Sequence, residues 1–300
     1  MRIIPSSELI INADGSIFHL HLKPEQLADT VILVGDPARV DMVASFFDEK
    51  ECEVQSREFH TITGYKNGKR ISCVSHGIGT DNIDIVLTEL DALKNVDFTT
   101  RTVKPHFTQL TLVRIGTSGG LQPFCPVGSF VVSKRSIGLD GLLNYYQLPE
   151  GVIDVDFQKA FAEFTGFVPE NAPYVVSADE ELVEKLGKGL VMGVTVSAHG
   201  FYGPQGRYVR IPLAKPDLNE KIIQFDYHGE KITNFEMESS AVAGLAKILG
   251  HKAVTICNII AGRVDKTMNT EYKGAMEDLV QLVLERVTND SKRAAEIPFP

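Results

Sequence analysis

An α/β fold with a central, largely parallel sheet is what this sequence predicts, on three observations. Short β-branched apolar runs alternate with helical patterns along most of the chain. Glycine-rich turns come after most of those runs, as expected where strands hand over to helices. No Pro/Gly/Ser-rich linker and no internal repeat interrupts the 300 residues, so a single domain is expected over residues 1–300.

Thr30–Val34 reads as a buried strand, followed by a helix over Ala38–Phe47. Arg70–Ser75 is the next strand, and "DIVLTELDALK", Asp84–Lys94, has apolar residues at helical spacing. Strands are then expected at Leu110–Ile115, Gly128–Val132, Gly193–Ser197 and Ala253–Ile260, and helices at Glu180–Leu186, Ser239–Leu249 and Glu271–Val287. Two stretches read as loops: the polar Asn95–Gln109, and Leu213–Gly229, bracketed by proline and charge. Residues 1–17 form an N-terminal extension, and 291–300, ending "AAEIPFP", a tail.

Composition narrows the function. With 43% hydrophobic and 23% charged residues, the chain has the makeup of a soluble globular protein with an ample core. Its formal charge of −9, with no block of like charges, argues against nucleic acid or an anionic membrane as partner. Any anionic ligand must be held by a few placed arginines. Cys52, Cys73, Cys125 and Cys257 match no zinc spacing, and Cys73 and Cys257 lie in apolar runs, as buried thiols do. No apolar stretch reaches the roughly 18 residues of a membrane span. "MRIIPSSELIINADGS" is not a signal peptide, so a cytoplasmic protein is expected.

In open α/β sheets the ligand sits at the carboxyl ends of the strands, so the turn after each strand is the most informative part of the chain. The first strand leads into "GDPAR", where Gly35 turns the chain, Pro37 suits a first helical turn and Arg39 lies one turn in. This is either an anion cradle of backbone amides plus an arginine or an ordinary strand-to-helix turn. The second leads into "SHGIGT"; His76 there is either a base or a structural turn histidine. The third leads into "RIGTSGGLQ". Arg114, ending an apolar strand, needs an anionic partner, either a protein carboxylate or a ligand. Thr117, Ser118 and the paired glycines form a hydroxyl-and-amide nest for phosphate oxygens. In "GFYGPQGRY", an aromatic pair with Gln205 and Arg207 describes a planar polar pocket suited to a flat ring such as uracil. "CNIIAGR" ends in a small residue and Arg263, which leaves room beside a ligand or makes a surface turn. In "NFEMES", Glu236 and Glu238 either decorate a helix start, where the dipole favours acids, or hold ligand hydroxyls.

Taken together, "IFHLHL", "LVGDPAR", "SREF", "RIGTSG", "FYGPQGR" and "NFEMES", in this order from Phe18 to Val287, resemble the nucleoside phosphorylase-I superfamily, most closely its uridine phosphorylases. The resemblance implies a three-layer α/β/α domain with a central mixed sheet. It also implies phosphorolysis of uridine to uracil and α-ribose-1-phosphate in pyrimidine salvage. Inorganic phosphate is then a co-substrate, with no metal or redox cofactor. Matched motif by motif, Gly35, Arg39, Arg114 and Thr117 are implied to bind phosphate, with Arg57 of "SREF" reaching it from the neighbouring subunit. His19 is implied to cross the same interface to the ribose 5′-hydroxyl. Met237 and Glu238 are implied to hold the 2′- and 3′-hydroxyls with Glu236 in support, and Phe201, Gln205, Arg207 and Ile260 to recognise the base. A homodimer is then the minimal unit, and three dimers make a hexamer in many bacterial relatives.

Three departures qualify this. Purine-specific relatives carry an aspartate near the position of Gly262, and uridine phosphorylases often carry asparagine. "GTDN", residues 79–82, replaces the usual Gly-x-Pro-Ser, which weakens transfer of the potassium site some relatives build from their equivalent of Glu58. Residues 95–109 are an insertion. The alternatives are a purine or broad-specificity phosphorylase, a nucleosidase using water, and a non-catalytic nucleoside-binding protein.

Overall fold

Every residue of Thr30–Val34 is buried, which places this run inside a sheet covered on both faces. The computed structural model describes residues 2–168, 172–264 and 266–289. Its strands are β1 (Thr30–Val34), β2 (Glu49–Ser56), β3 (Phe59–Lys66), β4 (Lys69–Ser75), β5 (Val96–Asp97), β6 (Thr102–Val103), β7 (Thr111–Gly120), β8 (Phe130–Gly138), β9 (Tyr174–Ser177), β10 (Val191–Ser197), β11 (Asp226–Tyr227), β12 (Glu230–Glu236), β13 (Lys252–Gly262) and β14 (Thr267–Met268). The helices are α1 (Pro37–Ala44), α2 (Thr80–Asn95), α3 (Val155–Thr165), α4 (Glu180–Gly187), α5 (Leu218–Gln224), α6 (Ser239–Leu249) and α7 (Lys273–Thr288).

The main sheet runs β11-β12-β10-β8-β13-β7-β1-β4-β3-β2. Parallel pairings of β1 with β4 and β7, of β13 with β7, and of β10 with β8 and β12 form its centre. Antiparallel pairs at β2–β3, β3–β4 and β13–β8 make it mixed. A further antiparallel contact joins β12 to β7, Asn234 opposite Gly120 and Phe235 opposite Gly119. Because β12 already reaches β7 through β10, β8 and β13, this contact closes that half of the sheet on itself.

The pleat sorts side chains between two layers. Val31 and Leu33 of β1 join the core under α2 and α6, while Ile32 and Val34 join the one under α1, α4 and α7. Leu112 and Val113 of β7 divide the same way. A third cluster gathers Phe157 and Phe161 of α3 with Ile222 of α5.

Several boundaries differ from expectation, each for a local reason. The strand expected at Leu110–Ile115 continues to Gly120, since residues 117–120 find ladder partners in β13 and β12. Gly128, expected to open a strand, instead turns the chain at φ +92°, and β8 starts at Phe130. β2 and β3 read poorly because β2 is an edge strand with its charged face in solvent. β3 buries His60, Thr61 and Thr63 among apolar residues, and Thr63 Oγ1 donates to the Gln26 carbonyl at 2.7 Å. β12 spells Thr233 and Asn234 where a run of apolar residues would be expected; both are buried and hydrogen-bonded.

Both stretches expected to be loops contain structure: β5 and β6 pair antiparallel within 95–109, and α5 and β11 lie within 213–229. The N-terminal extension packs on the β5–β6 ribbon. Ile4 donates to the Arg101 carbonyl at 2.8 Å, and the Arg101 side chain donates to the carbonyls of Ile4, Pro5 and Leu9. The 291–300 tail lies outside the described residues.

A Cβ on Gly120 would stand 2.4 Å from the carbonyl oxygen of Cys125, a backbone atom with little room to move. Gly120→Ala is therefore expected to cost about 1–3 kcal/mol, as overpacking does. Urea unfolding checks this; a neutral result would mean that the segment is as yielding as a surface loop.

Candidate functional site

The carboxyl ends of β1, β7, β12 and β13 meet the turns after β4 and β10 around a cavity of about 910 Å³. All the expected site residues line it except His19 and Arg57. Gly35, Arg39, Arg114 and Thr117 line it together with Glu236, Met237 and Glu238, the two acids pairing with Arg114, and with Phe201, Gln205, Arg207 and Ile260.

The part of the lining around Gly35 begins where β1 stops. Asp36 caps α1 by accepting from the Ala38 N–H at 2.9 Å, and Pro37 opens the helix, so the first turn is fixed by its own sequence. Gly35 is not in a left-handed conformation. It is glycine because an added Cβ would lie 3.3 Å from the Gly77 carbonyl, where the turn after β4 crosses. Thr117 and Ser118 lie on β7 as strand residues; the nest expected after the strand is instead part of the ladder.

Arg114 is 3% exposed, so its guanidinium must be answered by protein groups. Nη1 pairs with Glu236 at 2.8 Å and lies 3.8 Å from the Cys257 sulfur. Nη2 pairs with Glu238, and Nε donates to His76 Nε2 at 3.2 Å. A guanidinium has five N–H donors, so one on Nη2 has no partner among the described residues, and Arg114 lines the cavity. The flat group lies against Gly116, where a Cβ would come within 2.9 Å of Nη1. Of the two readings open for Arg114, the carboxylate partner holds, and the spare donor keeps the ligand reading alongside it.

The two acids of "NFEMES" divide the readings between them. Glu236 ends β12 and accepts from the backbone N–H groups of Glu238 and Ser239, at 2.9 and 3.0 Å, and from the hydroxyls of Ser197 and Ser239, at 2.5 and 2.7 Å. It serves the helix start as well as Arg114. Glu238 caps nothing with its side chain. It turns into the cavity, accepting from the Gly79 N–H at 2.7 Å and from Arg114. Burial, against the pull of Arg114 and with repulsion from Glu236, holds its carboxyl above the usual range.

Elsewhere in the lining, Arg207 lies over the Phe201 ring at 3.7 Å and donates to Gln205 Oε1 at 2.7 Å. Burial, then repulsion from Arg263, lowers it to about 10, so it stays a cation at neutral pH. Arg263 does open the turn between β13 and β14, but it is half-buried there and its Nη2 donates to the Gln205 carbonyl. Arg207 also walls a second, mainly apolar cavity of about 760 Å³ lined by Phe167, Ile211 and Leu218.

His19 and Arg57 stand together outside the lining of this cavity, which Glu58 joins. Arg57, at φ +53° between β2 and β3, lies over the Phe18 ring at 5.5 Å, and His19 packs edge-on to Phe18 and Phe59. Glu89 of α2 anchors the segment, accepting from His19 Nδ1 at 2.6 Å and from the N–H groups of His19 and Leu20. Glu89 and Arg263 carry no spacing signal; only an acid on the apolar face of α2 hints at the first. Asp41, Glu53 and His60 could offer metal donors within 4.8 Å of one another, but His60 already pairs with Glu53 at 2.9 Å and none lines the cavity.

Among the described residues, no helix is long and apolar enough to cross a membrane. A sequence profile of the phosphorylase superfamily matches residues 29–297. A uridine phosphorylase from Thermococcus kodakarensis is 30% identical over 86% of this chain and 82% of its own. A DeoD-type purine nucleoside phosphorylase from Colwellia psychrerythraea is 27% identical over 90% and 98%. The solved nucleoside phosphorylase of Trypanosoma brucei, described as showing uridine phosphorylase activity, superposes with a TM-score of 0.84 at 29% identity, covering 93% of this chain and 98% of that one.

Glu236→Ala would leave Arg114 half unpaired and two helix-start donors unanswered. Breaking such a buried pair is expected to cost about 3–5 kcal/mol, read by urea unfolding. A loss under about 1 kcal/mol would mean that Glu238 alone satisfies Arg114.

Proposed function

The chain belongs to the phosphorylase superfamily, and on that footing we propose that it cleaves uridine with inorganic phosphate to give uracil and α-ribose-1-phosphate. The observation that carries this reading is a single cavity lined by cations, by buried carboxylates and by an amide–guanidinium pair beside an aromatic ring. Those three kinds of group suit a phosphate, a ribose and a planar base.

Each of those three parts has its own chemistry. Phosphate, drawn by Arg39 and the spare N–H of Arg114, sits beneath the anomeric carbon and attacks as the bond to the base breaks. Holding both reactants in line removes the entropy of bringing them together. The sugar gains positive character in the transition state, and the carboxylate of Glu238 both accepts from its hydroxyls and opposes that charge. The departing uracil carries away the bonding pair. Arg207, still cationic, and Gln205 stabilise the resulting negative charge, each charge-assisted hydrogen bond being worth about 1.5–3 kcal/mol. No step asks for a redox group or a metal.

Uracil over purine is favoured by Gln205 with Arg207, which together offer donors and an acceptor to the edge of a pyrimidine dione. Gly262 offers no acid to protonate a purine nitrogen. His19 and Arg57, held together through Phe18 outside their own cavity, support a homodimer in which each subunit lends both residues to its partner. Arg57 then completes the phosphate site and His19 takes the ribose 5′-hydroxyl; three such dimers would make a hexamer. Cytoplasmic placement fits four free thiols among the described residues.

Uridine is expected to yield uracil only when phosphate is supplied, and inosine to yield little hypoxanthine under the same conditions. Phosphate-independent uracil release would point to a hydrolase, and equal use of inosine to a broad phosphorylase. Mixing Arg57→Ala with Glu238→Ala protein under subunit exchange is expected to restore activity at hybrid sites. A mixture that stays inactive after proven exchange removes the trans role of Arg57.

A further inference from the structure

His76, in the turn between β4 and α2, plays no part in the chemistry above, yet it is fully buried against the group on which that chemistry relies. Its backbone N–H donates to the Val34 carbonyl at 2.8 Å, which ties the residue to the end of β1 beside Gly35. Its ring Nε2 lies 3.2 Å from Arg114 Nε. An arginine Nε–H can only donate, so Nε2 must be the bare nitrogen and the ring proton must sit on Nδ1. Nδ1 itself is buried and, among the described residues, has no hydrogen-bond partner of good geometry, with the backbone of Gly77 close by. Leaving such a donor unanswered costs stability. That cost goes with holding an acceptor on Nε, a position the surrounding carboxylates do not reach.

Nε matters because it sets the plane of the guanidinium. Glu236 and Glu238 bind the Nη atoms, and a guanidinium held only there could pivot about the line joining its two partners. The contact at Nε supplies a third point. Gly116 closes one face, so the plane fixed by these three contacts leaves the uncommitted Nη2 N–H with one direction to point.

We propose that His76 is a positioning residue for phosphate: docked on Nε, its imidazole fixes the plane in which Arg114 presents its spare donor to the anion. Protonation would undo this arrangement, since an N–H on each side of the contact repels. Burial first, then the charges of Arg114 on β7 and Arg39 on α1, hold the ring well below the usual histidine pKa, which keeps the acceptor available. The inference rests on the phosphorolysis reading for the identity of the anion.

The test compares His76→Gln, whose amide oxygen can accept from Nε, with His76→Met, of similar length but without that acceptor. Both are checked for folding by circular dichroism and thermal melting. His76→Met is expected to raise the KM for phosphate by about tenfold or more, the value of one charge-assisted contact. The KM for uridine and kcat should shift by much less, and His76→Gln should stay near wild type in all three. Calorimetric titration of inorganic phosphate into the protein without nucleoside should give the same order of affinities. Equal phosphate constants for the Gln and Met variants, or a loss shared evenly between phosphate and uridine, would overturn the proposal. A wild-type protein that releases uracil without phosphate would instead overturn the underlying reading, and the two failures are told apart by that control.

Discussion

A guanidinium sealed in a protein interior has to find acceptors for its donors before the surrounding groups can be arranged, and Arg114 sets that condition here. Its needs explain features that otherwise look unrelated. Gly116 must lack a side chain because the charge lies flat on it. Glu236 must fall at the last position of β12, within reach of both Arg114 and the first amides of α6. Residue 76 must present an acceptor. Even the direction of Glu238, away from the helix it precedes, is set by the second Nη atom.

The closure of the sheet serves the same requirement. An open sheet would leave β12 well away from β7, with β10, β8 and β13 between them. Pairing Phe235 with Gly119 instead brings the acids of one strand to the arginine of the other and leaves a cavity at their shared end. The cost of burying three charges is offset by their mutual pairing, and the same pairing leaves the site charged on its inner wall. The groups that secure the fold and those that line the cavity are therefore one cluster, with Glu236 also serving the helix start and Glu238 serving no cap.

Much of this was legible in the sequence. Buried β-branched runs located β1, β4, β10 and β13, and Ser239–Leu249 matched α6 at both ends. The charged residue at the end of an apolar strand pointed to Arg114 and to an anionic partner. What stayed hidden has a common cause: polar residues satisfied within the protein look, in one dimension, like loop. Thr233 and Asn234 in β12, and His60 to Thr63 in β3, are strand residues whose hydrogen bonds lie far away in sequence. The "GTSGG" segment looked like a turn because glycine is usually read as freedom, whereas in β7 these glycines admit close neighbours. Glu89 showed only as an acid on the apolar face of α2, and its role stayed hidden because its partner lies 70 residues away.

The segment before residue 18 and residues 95–109 also acquire a relation. Arg101 at the tip of the β5–β6 ribbon gathers the carbonyls of Ile4, Pro5 and Leu9, and Ile4 returns a hydrogen bond to it. Ile4, Leu9 and Phe98 pack against the same core. In three dimensions the two segments form one unit, assembled from distant parts of the chain. Along the sequence they are two pieces; by their contacts they are one, since neither has its present surroundings without the other.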